Sequence, residues 1–185
     1  MACGPAHVQV NKLTISVTGF AKEASPSPIP IDIVVDPANV PDQLLTNSLG
    51  FPPVQYQVEG LSAFVSNDLV RAFKRSFKEV NVIRSRADAK PGNRVVVVPK
   101  VSRVYLEEAR RPTLREPNGT VFGGMDWSVS FYRPGQDKAV YEYIDRVRGQ
   151  RAYGPKSAIT TLLEQAIDNF YREMDVAVHK TAKAP

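Results

Sequence analysis

The sequence has little of the chemistry on which most small enzymes and metalloproteins depend. Its 185 residues include one cysteine and two histidines. A lone cysteine cannot form an intrachain disulfide, so a buried core must hold the fold together. His7 and His179 lie near opposite ends of the chain, and no Cys/His or His/carboxylate cluster has the spacing of a metal site. The sequence therefore predicts no metal, no cofactor and no histidine-based catalysis.

Long apolar runs and nucleotide or hydrolase motifs are missing as well. The longest apolar stretch, residues 95–98, has the length of a strand, whereas a membrane-spanning helix needs ~20 residues. Neither GxSxG nor GxxxxGK occurs. Glu107 and Glu108 are adjacent, and adjacent strand residues point to opposite faces, so they are not expected to share a site. We expect a protein that is not an enzyme, and a metal-free carboxylate site is the one catalytic alternative.

What the chain does contain is the composition of one folded domain with a mild basic bias. Hydrophobic residues make up 43% of the chain and charged residues 23%. The 15 prolines are concentrated in the N-terminal third and predict extended chain and turns there. The net charge of +5 is compatible with anionic partners but identifies none of them.

Two stretches have the apolar period of amphipathic helices. The first is predicted at 62–79 with Ser62 as N-cap, and the second at 157–175 with Ser157 as N-cap. Residues 177–185 are expected to fray. The predicted buried stripes are Val65, Leu69, Ala72, Phe73, Phe77 and Val80 on the first helix, and Ile159, Leu162, Leu163, Ala166, Ile167, Phe170 and Met174 on the second.

Alternating apolar residues predict the strands. A hairpin is expected from 125–132 and 139–147, because Pro134 and Gly135 form a strong turn between them. In its first strand, one face is expected to carry Met125, Trp127, Val129 and Phe131, and the other Asp126, Ser128, Ser130 and Tyr132. Pro99 cannot donate to a ladder and marks an edge or a bulge. Residues 95–98 are apolar on both faces, so both faces should be covered. The connection at 37–60 is the expected cover, and a partner protein, a second copy or a lipidic ligand is the alternative. The other predicted strands are at 8–17, 31–35 and 94–106, with a weak one at 54–58.

The element order β-β-(β)-α-β-β-β-α predicts an α+β fold. We expect a largely antiparallel sheet of four or more strands with two helices packed on one face. A single domain is predicted at 7–176, after a lipidated tether at 1–6 and before a frayed tail at 177–185.

The first predicted helix carries a basic strip opposite its apolar stripe. Such a strip either docks an anionic surface or an acidic partner, or is simply the solvated face of the helix. A second basic site is predicted in a loop at Arg110 and Arg111. The members of the strip are Arg71, Lys74, Arg75 and Lys78.

The chain begins Met1-Ala2-Cys3-Gly4, a small residue followed by cysteine and glycine. This start, followed by a short tether and a domain that ends in an amphipathic helix, resembles the small outer-membrane lipoproteins of Gram-negative bacteria. That group includes the lipopolysaccharide-assembly lipoprotein and the auxiliary lipoproteins of ABC-type transport systems. The resemblance covers the chain from Cys3 to about Asp175. It implies lipid attachment at Cys3, a periplasmic domain anchored to the outer membrane by the lipid alone, and no catalytic residues.

The function predicted from this resemblance is that of an accessory or adaptor protein. The expected partner is another envelope protein or an anionic glycolipid, and the sequence does not determine the oligomeric state. A nucleic-acid-binding module is the alternative, because 62–175 has the α-β-β-β-α order of a double-stranded-RNA-binding domain. Those domains place a lysine cluster before the last helix, where this chain has only Lys156, so no nucleic-acid partner is expected. The alternative that the chain is a cytosolic protein with an incidental cysteine also stays open.

Overall fold

The computed structural model describes residues 6–9, 26–47, 55–108, 120–149 and 152–184. Cys3, Arg110 and Arg111 lie outside these ranges, as does most of the strand predicted at 8–17. The described strands are β1 Ala6–Gln9, β2 Ile31–Val34, β3 Gln43–Asn47, β4 Gln55–Glu59, β5 Val80–Ile83, β6 Val95–Glu108, β7 Thr120–Tyr132, β8 Tyr141–Arg148 and β9 Ala152–Tyr153. The described helices are α1 Leu61–Phe64, α2 Val70–Ser76 and α3 Pro155–Lys183; the π-helical turn Val65–Leu69 joins α1 to α2, and Arg86–Asp88 is a 3₁₀ turn.

The large sheet has the strand order β5-β2-β6-β7-β8, and β9 pairs with one end of β7. The predicted hairpin is β7 and β8, which are antiparallel, as are β6 and β7. The α+β class is confirmed. The sheet is mixed, however, because β2 pairs in parallel with both β5 and β6. Along the chain, β2 is separated from β5 by the short strands β3 and β4 and by the helix at 61–76. This long crossover permits the parallel pairing.

One face of the large sheet packs on the helices around Phe170 of α3. Its ring centroid lies 5.6 Å from Trp127, 6.2 Å from Phe131 and 5.8 Å from Phe73 of α2. Phe170 is fully buried, and burial of a side chain of this size stabilises a fold by about 1.5–3 kcal/mol. The alternation predicted for β7 is confirmed, because Met125, Trp127, Val129 and Phe131 are all buried on this face.

The first helix starts and ends earlier than predicted. Its N-cap is Gly60, at φ 84°, and Ser62 lies inside the helix, where its hydroxyl donates to Asp42 Oδ1 at 2.5 Å. The helix ends at Ser76, because Phe77 is extended at φ −130°, and the chain continues into β5. The apolar stripe is confirmed up to Phe77, whereas Val80 is a strand residue.

The last helix is longer than predicted at both ends. Its N-cap is Gly154 rather than Ser157, and Pro155 takes the first helical position, where its missing N–H costs no hydrogen bond. The predicted stripe is confirmed, and it continues through Ala177, Val178 and Thr181, which are also buried. These contacts hold the helix together to Lys183, so the frayed tail predicted from 177 is not observed.

Two segments of the 37–60 connection, β3 and β4, belong to a second, three-stranded sheet with the order β1-β4-β3. The weak strand predicted at 54–58 is β4, and it is the central strand of this sheet. Tyr56 and Val58 on β4 are buried in the same core as the large sheet. The connection also borders β6, since the Val101 N–H donates to the Asn39 carbonyl at 2.9 Å. This contact lies just past Pro99, where β6 has already lost its pairing with β2.

Among the described residues, no helix is both long enough and apolar enough to cross a membrane.

Candidate binding face

The second face of the large sheet, turned away from the helices, is here called the outer face. It has two halves that differ in exposure. The closed half lies over β5, β2 and the start of β6. The open half lies over the rest of β6, β7 and β8, where the outward side chains are exposed or half-buried.

A buried ion-pair network seals the closed half. Asp32 on β2 is 1% exposed, and the Arg94 guanidinium, just before β6, pairs with its carboxylate. Arg94 also donates to Glu79 Oε1 at 3.0 Å, and the Asn81 amide donates to Asp32 and to Glu79 at 3.1 Å each. Hydrogen bonds from Asn81 and Arg94 lower the pKa of Glu79, and the bond to Asp32 raises the pKa of Arg94. Each charge therefore has a partner, as a structural network requires.

The connection between β5 and β6 covers the rest of the closed half. Val96 lies directly opposite Tyr132 on β7, and the Arg86 guanidinium sits 4.4 Å from the centre of the Tyr132 ring. Arg86 also donates to the Gln136 carbonyl at 3.1 Å. Cover of residues 95–98 was expected from 37–60. On this face Arg86, from the 3₁₀ turn, lies over Tyr132 beside Val96, and the described contact of 37–60 with β6 is at Val101, so cover of 95–98 by 37–60 stays a prediction.

A bulge in β6 decides which side chains reach the open half. The pairing with β7 shifts between Val101 and Arg103, so that Ser102 is an extra residue. The shift lets Val101 and Val104, three residues apart, both be buried towards the helices. The outward side chains of the open half are Lys100, Arg103, Tyr105 and Glu107 on β6, Phe122, Asp126, Ser128 and Ser130 on β7, and Glu142, Ile144, Arg146 and Arg148 on β8.

At one end of the open half is a cleft of about 230 Å³, here called the Tyr105 cleft. Tyr105, Glu107, Phe122 and Arg148 line it. The Tyr105 ring lies directly on Gly124, where an added Cβ would be 2.0 Å from Tyr105 Cζ. The cleft thus combines aromatic rings with one carboxylate and one guanidinium.

A shallower hollow of about 360 Å³ lies in the middle of the open half, among Lys100, Asp126, Ser128, Ile144 and Arg146. Arg146 Nε is 3.9 Å from Asp126 Oδ1, and the Arg146 side chain is 88% exposed. Ile144 is 71% exposed and stands among these charged side chains.

Three residues of the predicted basic strip, Arg71, Lys74 and Arg75, lie on α2. Arg71 pairs with Asp68, whose pKa is raised by burial despite this neighbour. Arg75 is half-buried and Lys74 is exposed. Lys78 lies beyond the end of α2 and its N–H donates to the Ser27 carbonyl at 3.0 Å. The helix ends before Lys78, so it carries only Arg71, Lys74 and Arg75 of the strip, and binding of an anionic partner there stays a prediction.

Both histidines lie at the surface. His7 Nδ1 is 2.9 Å from Glu59 Oε1, and His179 Nδ1 is 2.9 Å from the Asp175 carbonyl oxygen. Within the described ranges, no three His, Cys, Asp or Glu side chains are grouped as metal ligands.

Sequence comparison finds no matching protein-family model and no significant match among curated proteins. Solved structures with the same fold include a Xanthomonas campestris protein of the DUF330 family, 14% identical, with 83% of this chain and 85% of that one covered and a TM-score of 0.52. A putative neuraminyllactose-binding hemagglutinin homologue from Helicobacter pylori is 9% identical, with 89% and 98% covered and a TM-score of 0.53. The uncharacterised lipoprotein B of Nitrosomonas europaea is also 9% identical, with 85% and 90% covered, but its TM-score is 0.37. Identities this low relate folds only.

Proposed function

We propose that this chain is the periplasmic domain of a lipid-anchored outer-membrane protein, and that it is a non-catalytic accessory protein whose open half binds another envelope protein. The observation that carries the proposal is the contrast between the two faces of β6, β7 and β8. The helix-facing side is buried, whereas the outer side presents rings, charges and Ile144 to solvent. A sheet face left bare in this way is available for a partner.

The anchor is the first part to test. Cys3 followed by Gly4 supports acylation of the Cys3 sulfur. The full-length protein in its native cell should sediment with outer membranes, and Cys3→Ser should move it to the soluble periplasmic fraction. Ala2→Ser, which keeps a small residue before the cysteine, is the control and should stay with the membranes. A Cys3→Ser protein that still sediments with membranes would remove the anchor from the proposal.

The partner is tested by photo-crosslinking in the native cell. A photoreactive residue at Ser128, in the centre of the open half, should give a discrete adduct with one envelope protein. The same residue at Lys90, on the connection that covers the closed half, is the control and should give none. An adduct pattern that is equal at the two sites, or absent at both, would contradict binding through the open half. Arg146→Glu should weaken the Ser128 adduct, because it reverses a charge beside that site.

An anionic glycan is a second candidate ligand, favoured by the Tyr105 cleft. Arg148 at its rim suits a carboxylate, and the rings of Tyr105 and Phe122 suit the apolar side of a sugar. The H. pylori neighbour, named as a homologue of a neuraminyllactose-binding hemagglutinin, supports this choice of probe. Calorimetry should detect neuraminyllactose but not lactose, and Arg148→Gln should abolish the difference. If neither sugar binds, the second candidate fails and the first is unaffected.

A further inference from the structure

Strand β8 forms one edge of the large sheet in the part of the chain that the structure describes. In the strand order β5-β2-β6-β7-β8, β8 is the last strand of the path and pairs there only with β7. Its other side therefore presents a row of backbone donors and acceptors among the described residues. Such an edge is a template for a further strand.

Ile144 lies in the middle of this edge strand. It is 71% exposed, and its outward neighbours on β8 are Glu142 and Arg146, one acid and one base placed symmetrically about it. Opposite charges at equal spacing on either side of an apolar residue make a strand complementary to itself when it is turned around. Isologous contacts of this kind define two-fold dimers.

We propose that two copies of this chain form a dimer by antiparallel pairing of β8 with β8, with Ile144 opposite Ile144 on the two-fold axis. On the outer face, Glu142 of each copy then lies opposite Arg146 of the other. On the helix side, Tyr143 lies opposite Asp145. Directly opposed side chains in an antiparallel pair are neighbours, so the outer-face contacts join an acid to a base and one isoleucine to the other. The Tyr143 hydroxyl already donates to Asp145 Oδ2 of its own chain at 2.8 Å, so the outer face carries the argument.

In the neighbouring registers the opposed side chains match less well in charge. Moving the axis to Asp145 would place two carboxylates opposite each other and set Ile144 against Arg146. Moving the axis to Tyr143 would set Ile144 against Glu142 and leave Arg146 without an acid. Shifts by single residues would bring opposite faces of the two sheets together. The Ile144 register sets Glu142 against Arg146 and Ile144 against Ile144, and at the end of the pair Arg148 lies opposite Val140.

The dimer would join the two outer faces into one continuous surface. The open halves would then lie side by side across the axis, and each would keep its own Tyr105 cleft. The contact is short, one strand from each copy, so association should depend on concentration. The dimer does not depend on the proposed function, because it involves the strand edge rather than the identity of the partner.

Cross-linking tests the register directly. In a Cys3→Ser background the chain has no other cysteine, so Ile144→Cys supplies a single thiol. It should form a covalent dimer under mild oxidation or with a short bismaleimide. Val82→Cys is the matched control, since Val82 is 50% exposed on β5, the strand at the opposite edge of the same sheet. Dimers that form equally from both thiols, or from Val82→Cys alone, would overturn the proposal.

Charge reversal provides the second test. In sedimentation velocity across a concentration series, the chain with wild-type β8 should dimerise, and Glu142→Arg and Arg146→Glu should each shift it to monomer. The double variant should recover the dimer, because the two pairs are then restored with their signs exchanged. Circular dichroism and melting of each variant establish that it is folded. A chain that stays monomeric at its highest soluble concentration, or a dimer that both single variants leave intact, would refute pairing through β8.

Discussion

Arg94 and Arg146 lie on the outer face of the same sheet, and each is close to an aspartate, but they differ in exposure to solvent. The Arg94 side chain is 9% exposed and holds the nearly buried Asp32, whereas the Arg146 side chain is 88% exposed and 3.9 Å from Asp126. The first pair belongs to the closed half of the outer face and the second to the open half. In the closed half, where water is excluded, the charged side chains therefore stabilise the fold. In the open half, where they are exposed, they remain available to a partner. The predictions below test this difference.

The largest expected effect is the loss of Arg94. Arg94→Met leaves the Asp32 carboxylate buried without its cation, and breaking a buried pair in this way costs about 3–5 kcal/mol in the free energy of unfolding. Arg146→Met is the matched control, since it removes an exposed pair worth at most about 1 kcal/mol. Urea denaturation of the two variants measures both values. Equal losses would mean that the two halves do not differ in the way we describe.

The adjacent glycines of β7 give a smaller contrast between the two faces. A Cβ on Gly123 would lie 2.9 Å from the Ala158 carbonyl oxygen of α3, so Gly123→Ala must shift the helix away from the sheet. Such overpacking should lower the free energy of unfolding by about 1–3 kcal/mol. A Cβ on Gly124 would instead meet the Tyr105 ring, a side chain at the surface that can rotate away. Gly124→Ala should therefore be nearly neutral. Thermal unfolding of both variants is the measurement, and a larger loss at Gly124 would contradict the proposed packing.

Local patterns predicted much of the helix-facing side of this fold. The alternation of β7 and the stripes on the helices identified the core, because burial imposes a period on neighbouring residues. The same alternation also placed Asp126, Ser128 and Ser130 on the other face, so part of the open half was already visible in the sequence. What the pattern did not reveal was that this face stays uncovered.

The features that were missed depend on residues far apart in the chain. Asp32 stands between Ile31 and Ile33 in what reads as an ordinary buried strand, and its partner Arg94 is 62 residues away. Val80 continues the helical period of the first helix, although the chain has already turned into β5 at that point. Glycine caps were missed at both helices because a serine stood close by. Pairing partners, crossovers and the point where a helix stops are set by tertiary contacts, which no local period encodes.

The smallest expected effect concerns the rim of the closed half. The pKa of Glu79 is lowered in the folded state, so its charge stabilises the fold above the unfolded value of about 4.5, and this contribution is lost as the pH falls through the folded value. Glu79→Gln should therefore unfold at lower urea than wild type near neutral pH and converge with it in acid. Asp68, whose pKa is raised, should behave in the opposite way: any advantage of Asp68→Asn near neutral pH should shrink as the pH falls. Parallel shifts for the two variants would show that Glu79 is not part of the sealing network, since a carboxylate gains stability by being charged only where its partners outweigh the cost of its burial.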